Sequence, residues 1–294
     1  MRVLTEFTAV ETDSFQVLRQ IPGRGSVILA GERAGEGRPI VLVHGLSATR
    51  RNVVQGSRHL IKRGYTLIAY DARGHGSSDP VADPAAYEYT DLVGDLEAVI
   101  EDLELDRPAL VGSSMGAATA LAYTLKHPDR VPALVQITPA YTGEGRTADT
   151  VDGDTWNTLA NALEEGGVEA FVDAAQPTDL PEKWRRVAEE ATRQRMERHR
   201  YPKGVAAALR TVPYSTAFDG LERLESLEVP TLIVASRDEA DWMHPLDVSR
   251  EYERRLPNVE LAIEDEGEAP IAWQGARLSG VIGDFLERSG YPPA

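Results

Sequence analysis

Ser114 lies in a pattern that can expose a serine hydroxyl for nucleophilic attack. Residues 112–116 read Gly-Ser-Ser-Met-Gly, between the apolar run 109–111 and an alanine-rich stretch, 117–126, with helical spacing. A strand, a sharp turn and a helix in this order push the serine above the sheet, and the helix N-terminus points backbone N–H groups at a developing oxyanion. The pattern predicts that Ser114 is a nucleophile and that the amide of Met115 is an oxyanion donor.

A second oxyanion donor is predicted in the loop after the first buried strand. Residues 44–47 read His-Gly-Leu-Ser and directly follow the apolar run 40–43. A loop at this point can place the N–H of Leu46 beside that of Met115, and a tetrahedral oxyanion requires such a pair of donors. Leu46 and Met115 together form the predicted oxyanion hole.

A third loop carries a resemblance to a known family. Residues 71–79 read Asp-Ala-Arg-Gly-His-Gly-Ser-Ser-Asp, and the sequence from 40 to 286 resembles the α/β-hydrolase family in its order of elements. It is most similar to the small cap-bearing esterase, lipase and C–C hydrolase branch. The resemblance implies an α/β fold with a mostly parallel eight-stranded sheet, flanking helices and an inserted helical cap. It also implies structural roles for His44 and His75.

The acid and base of a serine triad fall on unusual residues in this chain. The resemblance implies that the acid follows the strand after the cap, which points to Asp238. The family's histidine follows the last strand in a Gly-His-x-Pro setting, but residues 267–270 read Gly-Glu-Ala-Pro, so Glu268 stands in its place and no histidine follows His244. This matters because a serine hydroxyl is a poor nucleophile without a base, and a carboxylate is weaker than imidazole by roughly two pK units.

His244 is the predicted substitute for the missing base. It follows Asp238 by six residues, a tether of at most about 20 Å, which lets it reach the mouth of the sheet. Pro245 predicts the first turn of a helix over 246–256, whose N-terminus would keep the imidazole neutral, as a base requires. His199 is the second candidate.

The sequence leaves the remaining members of the triad open. His244 could be oriented by Asp238 or by an acidic residue of the segment 264–268. Glu268 could instead serve as an unusual base, or be an introduced change. A third alternative is that the protein does not hydrolyse esters at all.

The pattern from residue 39 onward predicts a parallel sheet wrapped by helices, because short apolar runs alternate with longer stretches of helical periodicity. An antiparallel hairpin is predicted at the edge of this sheet. The predicted segments are strands at 15–20, 26–32, 40–44, 66–70, 109–112, 133–138, 231–236 and 259–263, and helices at 53–63, 91–103, 115–126, 246–256 and 273–288.

Residues 141–215 are predicted to be a helical cap inserted into a core that comprises residues 1–140 and 216–294. Short β-branched runs disappear in this stretch and helical spacing replaces them. Its aromatic residues either form a small core of the insertion or line an apolar substrate pocket. Its arginines between Arg185 and Arg200 alternate with glutamates, which predicts a solvated, ion-paired helix face rather than an anion site.

The composition argues against several classes of protein. A formal charge of −16 and a pI near 4.9 disfavour nucleic acid and anionic membranes as partners. The chain has no cysteine, so it has no disulfide and no thiolate metal site. No stretch approaches the roughly 18 apolar residues of a membrane span. We expect a cytoplasmic protein that acts on a small molecule without a cofactor or metal, and a homodimer is compatible with the sequence.

Two functions from different classes follow from these residues. The first is a serine hydrolase that cleaves a small, largely apolar carboxylic ester or related acyl compound through a Ser114 acyl-enzyme. The second is a protein of the same fold with a degenerate triad, acting as a small-molecule binding module or as a non-hydrolytic enzyme of secondary metabolism. Glu268 favours the second and Ser114 favours the first.

Overall fold

The computed structural model describes residues 11–145, 153–175, 182–237, 243–265, 273 and 275–294. Two of the acidic candidates from the sequence, Asp238 and Glu268, lie outside the described residues. Ser114, Leu46, Met115 and His244 all lie within them.

The core is one eight-stranded sheet with the strand order β1-β2-β4-β3-β5-β6-β7-β8. The first two strands form the predicted edge hairpin, and β2 also pairs with β4 in antiparallel fashion. The remaining pairs are parallel, which confirms the predicted fold class. The strands are β1 (Thr12–Ile21), β2 (Gly25–Ala34), β3 (Arg38–Val43), β4 (Tyr65–Tyr70), β5 (Ala109–Ser113), β6 (Leu134–Ile137), β7 (Thr231–Ala235) and β8 (Val259–Ile263).

The central strands read as continuous apolar runs because both faces of the sheet are covered. Along β3, Val41 and Val43 pack into the hydrophobic cluster on one face, whereas Ile40 and Leu42 pack into the cluster on the other. This alternation is the two-residue period of a strand. The sheet is therefore a rigid floor whose strand ends can hold functional loops in place.

The helices agree with the predicted segments except near the first one. Residues 53–63 were predicted to be helical, but only His59–Lys62 is a helix and the residues before it form turns. Gln55 and Gly56 have φ values of +49° and +70°, which interrupt a right-handed helix. The helices are α1 (His59–Lys62), α2 (Tyr89–Asp102), α3 (Met115–Lys126), α4 (Gly153–Ala174), α5 (Glu182–Met196), α6 (Pro202–Thr211), α7 (Leu246–Arg255) and α8 (Gly275–Arg288). Within the described ranges, no helix has the length and apolar character needed to cross a bilayer.

Three of these helices, α4, α5 and α6, lie between β6 and β7 in the chain and share a small hydrophobic cluster of their own. Its buried members include Leu159, Phe171, Met196 and Leu209. The start of α6 packs closely on a core loop, because a Cβ at Gly204 would lie 2.7 Å from the Cα of Gly74. The helical segment is therefore attached to the core through the loop that follows β4.

The first turn of α3 approaches β3 so closely that it requires glycine. A Cβ built on Gly116 would lie 2.0 Å from the carbonyl oxygen of Val43, and a backbone oxygen cannot be moved aside as the end of a side chain can. Gly280 on α8 offers a matched comparison, since a Cβ there would meet no atom within 4 Å.

We expect Gly116→Ala to lower the free energy of unfolding by about 3 kcal/mol or more, because the backbone must separate to admit the methyl group. Gly280→Ala should leave it unchanged or raise it by up to about 1 kcal/mol through helix propensity. Urea denaturation of both variants measures the difference. Equal stability of the two variants would contradict the close packing described above.

Candidate active site

Ser114 occupies a strained turn between β5 and α3. Its φ of 52° and ψ of −113° lie in a region that a residue with a side chain rarely adopts. The turn is anchored by the Ser114 N–H, which donates to the carbonyl oxygen of Ile137 at 3.0 Å. The end of β5 and the first turn of α3 pass close together here, because a Cβ on Gly112 would lie 2.2 Å from the Gly116 carbonyl oxygen. The two glycines of the sequence pattern therefore make room for the serine to project above the sheet.

His244 makes a direct hydrogen bond with this serine. Its Nε2 lies 2.7 Å from Ser114 Oγ, although the two residues are 130 positions apart in the chain. The imidazole comes from the loop after β7, immediately before Pro245, the N-cap of α7. Of the histidines considered as bases, His244 is thus the one that the fold brings to the serine hydroxyl.

The acidic segment after β8 places the carboxylate of Glu264 beside the first residues of the loop that carries His244. Glu264 is buried, and its carboxylate accepts hydrogen bonds from the Ser236 hydroxyl at 2.8 Å and from the Arg237 N–H. Ser236 and Arg237 directly follow β7. Glu264 therefore joins the ends of β7 and β8 at the base of the His244 loop.

The predicted oxyanion loop lies against the serine turn. The Ala48 N–H donates to the Gly45 carbonyl at 3.1 Å and closes a tight turn, and a Cβ on Gly45 would lie 3.3 Å from the Cβ of Ser114. Within the described part of the chain, the amides of Leu46 and Met115 have no intramolecular hydrogen-bond acceptor. Both residues line the same cavity as Ser114. Two backbone donors are therefore available to a ligand at this point.

The two histidines of the family loops are buried behind the site. His44 donates from Nδ1 to the Gly45 carbonyl at 2.8 Å and accepts the Ala72 N–H at Nε2, at 2.9 Å, which fits only a neutral ring. The His75 ring packs 5.1 Å from it. Burial lowers the pKa of His44 and holds the pKa of His75 well below its usual range. These contacts give both residues structural positions, as the resemblance implies.

His199 connects the helical segment to the oxyanion loop, a connection that sequence reasoning missed. Its Nδ1 accepts the Gly76 N–H at 2.9 Å, and its Nε2–H donates to the Ser47 carbonyl at 3.1 Å. Ser47 has a φ of 58° and follows Leu46 directly, so this bond holds a strained turn next to the predicted oxyanion donor. With both ring nitrogens engaged, His199 fixes the loop rather than serving as a base.

The loop at 71–79 is fixed by buried ion pairs. The Arg73 guanidinium donates to both carboxylate oxygens of Asp95, at 2.7 and 2.6 Å, and all of these groups are shielded from solvent. Asp71 accepts hydrogen bonds from the Arg50 N–H at 2.8 Å and from the Ser77 N–H at 2.9 Å. Paired in this way, the buried charges hold the loop that supports His44, His75 and His199.

A cavity of about 550 Å³ opens above Ser114, between the sheet and the helical segment. Its size suits a small molecule. Within the residues that the structure describes, no group of three or more His, Asp or Glu side chains is placed to hold a metal ion. The cavity walls include apolar and aromatic residues (Leu46, Val53, Met115, Tyr141, Trp156, Val212, Pro213, Met243) and polar or charged ones (Asn52, Gln55, Ser114, Glu144, Gln194, Arg195, Arg198, His244).

We expect the stability of the protein to depend on pH through His199. Burial lowers the pKa of His199 from 6.5 to about 4, so between these values the unfolded chain binds a proton that the folded protein does not. The free energy of unfolding therefore falls as the pH drops through this window, by about 3 kcal/mol from this residue.

His199→Gln tests this expectation, because an amide can replace both hydrogen bonds but does not titrate. Denaturant unfolding of the variant between about pH 4 and pH 7 should show a shallower pH dependence than the wild type, with the two proteins closest in stability near neutral pH. Parallel stability curves for the two proteins would show that His199 does not carry this linkage.

Comparison with known proteins places this geometry in a family. The family model described as alpha/beta hydrolase fold matches residues 38–276. The chain is 26% identical over 272 residues to the AB hydrolase superfamily protein YisY of Bacillus subtilis (strain 168), covering 88% of this chain and 95% of that protein. It is also 26% identical over 243 residues to the non-heme chloroperoxidase CPO-A1 of Kitasatospora aureofaciens, covering 81% and 87% of the two chains.

Solved structures show the same fold. A thermophilic esterase from Thermogutta terrifontis superposes with a TM-score of 0.76 at 23% identity, covering 94% of this chain and 99% of that one. The match over residues 38–276 includes the serine turn, both loops beneath it and the helical segment above it. The chain therefore belongs to the alpha/beta hydrolase fold family.

Proposed function

We propose that this protein is a serine hydrolase that cleaves a small carboxylic ester or related acyl compound through a Ser114 acyl-enzyme. The observation that carries the proposal is the 2.7 Å hydrogen bond between His244 Nε2 and Ser114 Oγ. A hydroxyl becomes an effective nucleophile when a neighbouring imidazole can take its proton, and this distance is within the reach of direct proton transfer. Membership of the alpha/beta hydrolase fold family supports hydrolysis as the class of reaction.

The proposed reaction has two balanced halves. Ser114 Oγ attacks the ester carbonyl carbon while His244 Nε2 takes the hydroxyl proton, and the N–H groups of Leu46 and Met115 donate to the oxyanion. When the tetrahedral intermediate collapses, the bond to the alcohol oxygen breaks and His244 returns the proton to that oxygen. Water then attacks the acyl-enzyme in the same manner, which releases the acid and restores Ser114.

The proposed base occupies a different place in the chain from the one that the family pattern predicts. It comes from the loop after β7, while Glu268 stands where the family's histidine would follow β8. We propose that the carboxylate that orients His244 belongs to Asp238 or to an acidic residue of the segment 264–268. Asp238→Asn and single substitutions of the acidic residues in the segment distinguish these candidates, because only loss of the orienting carboxylate should lower kcat by more than about tenfold. The substitutions in the segment are Glu264→Gln, Asp265→Asn, Glu266→Gln and Glu268→Gln.

The walls of the cavity support an acyl compound of modest size. Tyr141, Val212 and Pro213 line the same cavity as Ser114 and contribute apolar atoms to its walls. A chain of a few carbons can lie against these residues while its carbonyl oxygen faces the two amides. No step of the proposed reaction uses a cofactor or a metal.

We expect His244→Ala to lower kcat/KM for para-nitrophenyl butyrate by about 10² to 10⁴, the usual contribution of a positioned base. Ser114→Ala should abolish the acyl-enzyme burst. His59→Ala, on the exposed surface of α1, is the matched control and should leave the rate unchanged. Turnover that survives loss of both Ser114 and His244 would contradict the proposal, and a protein inert towards all esters would favour the binding-module alternative.

We expect Glu268→His to raise the esterase rate by less than about threefold, because the position of the base is already filled by His244. The comparison is made in the wild type and in the His244→Ala background with the same ester. A gain of tenfold or more from Glu268→His in the wild type would assign the base to the loop after β8 instead.

A further inference from the structure

The proposed oxyanion donor Leu46 lies in a tight turn whose next residue is strained. The Ala48 N–H donates to the Gly45 carbonyl, which makes residues 45–48 a β-turn with Leu46 and Ser47 at its centre. Ser47 has a φ of 58°, and a type II turn requires a positive φ at this position, which glycine normally supplies. A residue with a side chain is strained there, so the turn needs contacts that oppose its relaxation.

Contacts from the core hold both ends of the loop that contains this turn. At the start of the loop, His44 Nε2 accepts the Ala72 N–H at 2.9 Å. At its end, the Arg50 N–H donates to the Asp71 carboxylate at 2.8 Å. Neither contact involves the two central residues of the turn, so the ends of the loop are fixed without fixing its centre.

The helical segment contacts the centre of the turn in two ways. His199, between α5 and α6, donates from Nε2–H to the Ser47 carbonyl at 3.1 Å. The Leu46 side chain packs against the hydrophobic cluster that α4, α5 and α6 share. The imidazole is itself fixed, because it is buried and its Nδ1 accepts the Gly76 N–H at 2.9 Å. The centre of the turn is therefore held from the helical segment and its ends from the core.

The position of the Leu46 N–H depends on the shape of this turn. If Ser47 relaxed to a negative φ, the peptide group between Leu46 and Ser47 would rotate and the residues beside it would shift. A misplacement of about 1 Å can cost about 10² in rate. The oxyanion forms only as the ester reacts, so a displaced donor lowers kcat with little effect on KM.

We propose that the helical segment completes the oxyanion hole, with His199 as a positioning residue that holds the Leu46 N–H in place through the Ser47 carbonyl. Catalysis then depends on the seating of this segment on the core, in addition to its part in walling the cavity. His199 acts on the reaction without touching the substrate. This inference rests on the proposed esterase function.

Two amide substitutions at position 199 separate the two hydrogen bonds of the imidazole. In His199→Gln the side-chain amide still reaches the Ser47 carbonyl, whereas in His199→Asn it is one methylene shorter and reaches only the Gly76 N–H. We expect His199→Asn to lower kcat for para-nitrophenyl butyrate by about tenfold or more, with a change in KM below about threefold. His199→Gln should keep kcat within about threefold of the wild type. A wild-type kcat in His199→Asn would overturn the inference while the proposed esterase function stands.

Glycine at position 47 provides a second test, because it adopts a positive φ without strain. In a Ser47→Gly background, the turn no longer needs the contact from His199 to oppose its relaxation. We therefore expect His199→Asn to lower kcat by less than about threefold relative to Ser47→Gly alone, compared with about tenfold or more in the wild type. An equal loss in both backgrounds would contradict the proposed route through the turn.

The control is Thr211→Val, which removes a different hydrogen bond between the helical segment and the core. The Thr211 hydroxyl, at the end of α6, donates to the Pro84 carbonyl at 3.0 Å, outside the oxyanion loop. This variant should leave kcat and KM unchanged. A loss of kcat as large as that of His199→Asn would show that any loosening of the segment slows the reaction, and the positioning role of His199 would fail.

Amide hydrogen exchange separates this inference from the esterase proposal. The Ala48 N–H closes the turn, and its exchange rate, measured by NMR, reports on the turn without any substrate. We expect exchange at least about tenfold faster in His199→Asn than in the wild type or in His199→Gln. Faster exchange in a protein that cleaves no ester would support the control of the turn by His199, and only the esterase proposal would fail. Equal exchange rates in the three proteins would overturn the inference.

Discussion

The site depends on one packing constraint, the close approach of the first turn of α3 to β3 and β5. Gly112 and Gly116 allow backbone to pass within contact distance of backbone, and Ser114 between them takes a positive φ as a result. A strained backbone conformation of this kind persists only when the surrounding packing prevents the residue from relaxing to a lower-energy conformation. Here the surroundings are the buried central strands, which have apolar contacts on both faces and leave the turn no alternative.

This constraint fixes the position of Ser114, and the topology of the sheet brings residues that are far apart in sequence to the same place. Parallel strands end at the same edge of the sheet, so the loops after β3, β5 and β7 deliver Leu46, Ser114 and His244 to one place. A base can then arise from any of these loops if its Nε2 reaches the serine hydroxyl. The geometry of a serine site, rather than the position of its residues in the chain, decides what it can do.

Much of this arrangement could be predicted from the sequence, because local patterns fix local structure. The serine turn follows from glycine spacing between an apolar run and a helix, and α3 begins and ends where the periodicity indicates. The prediction of a helix over 53–63 was wrong, since Gln55 and Gly56 both adopt a positive φ that helical spacing does not reveal. The role of His199 could not be found in the same way, because it depends on how the helical segment lies over the core.

The most direct test of the account is the rate at which a fluorophosphonate labels Ser114, with the labelled residue identified by mass spectrometry. The labelling reaction requires an activated hydroxyl and an oxyanion hole. The experiment can therefore be done without knowing the substrate. The account predicts that His244→Ala slows labelling by about 10² or more and that added imidazole restores part of the rate. Labelling of Ser114 at the wild-type rate in His244→Ala would contradict the claim that His244 activates the serine.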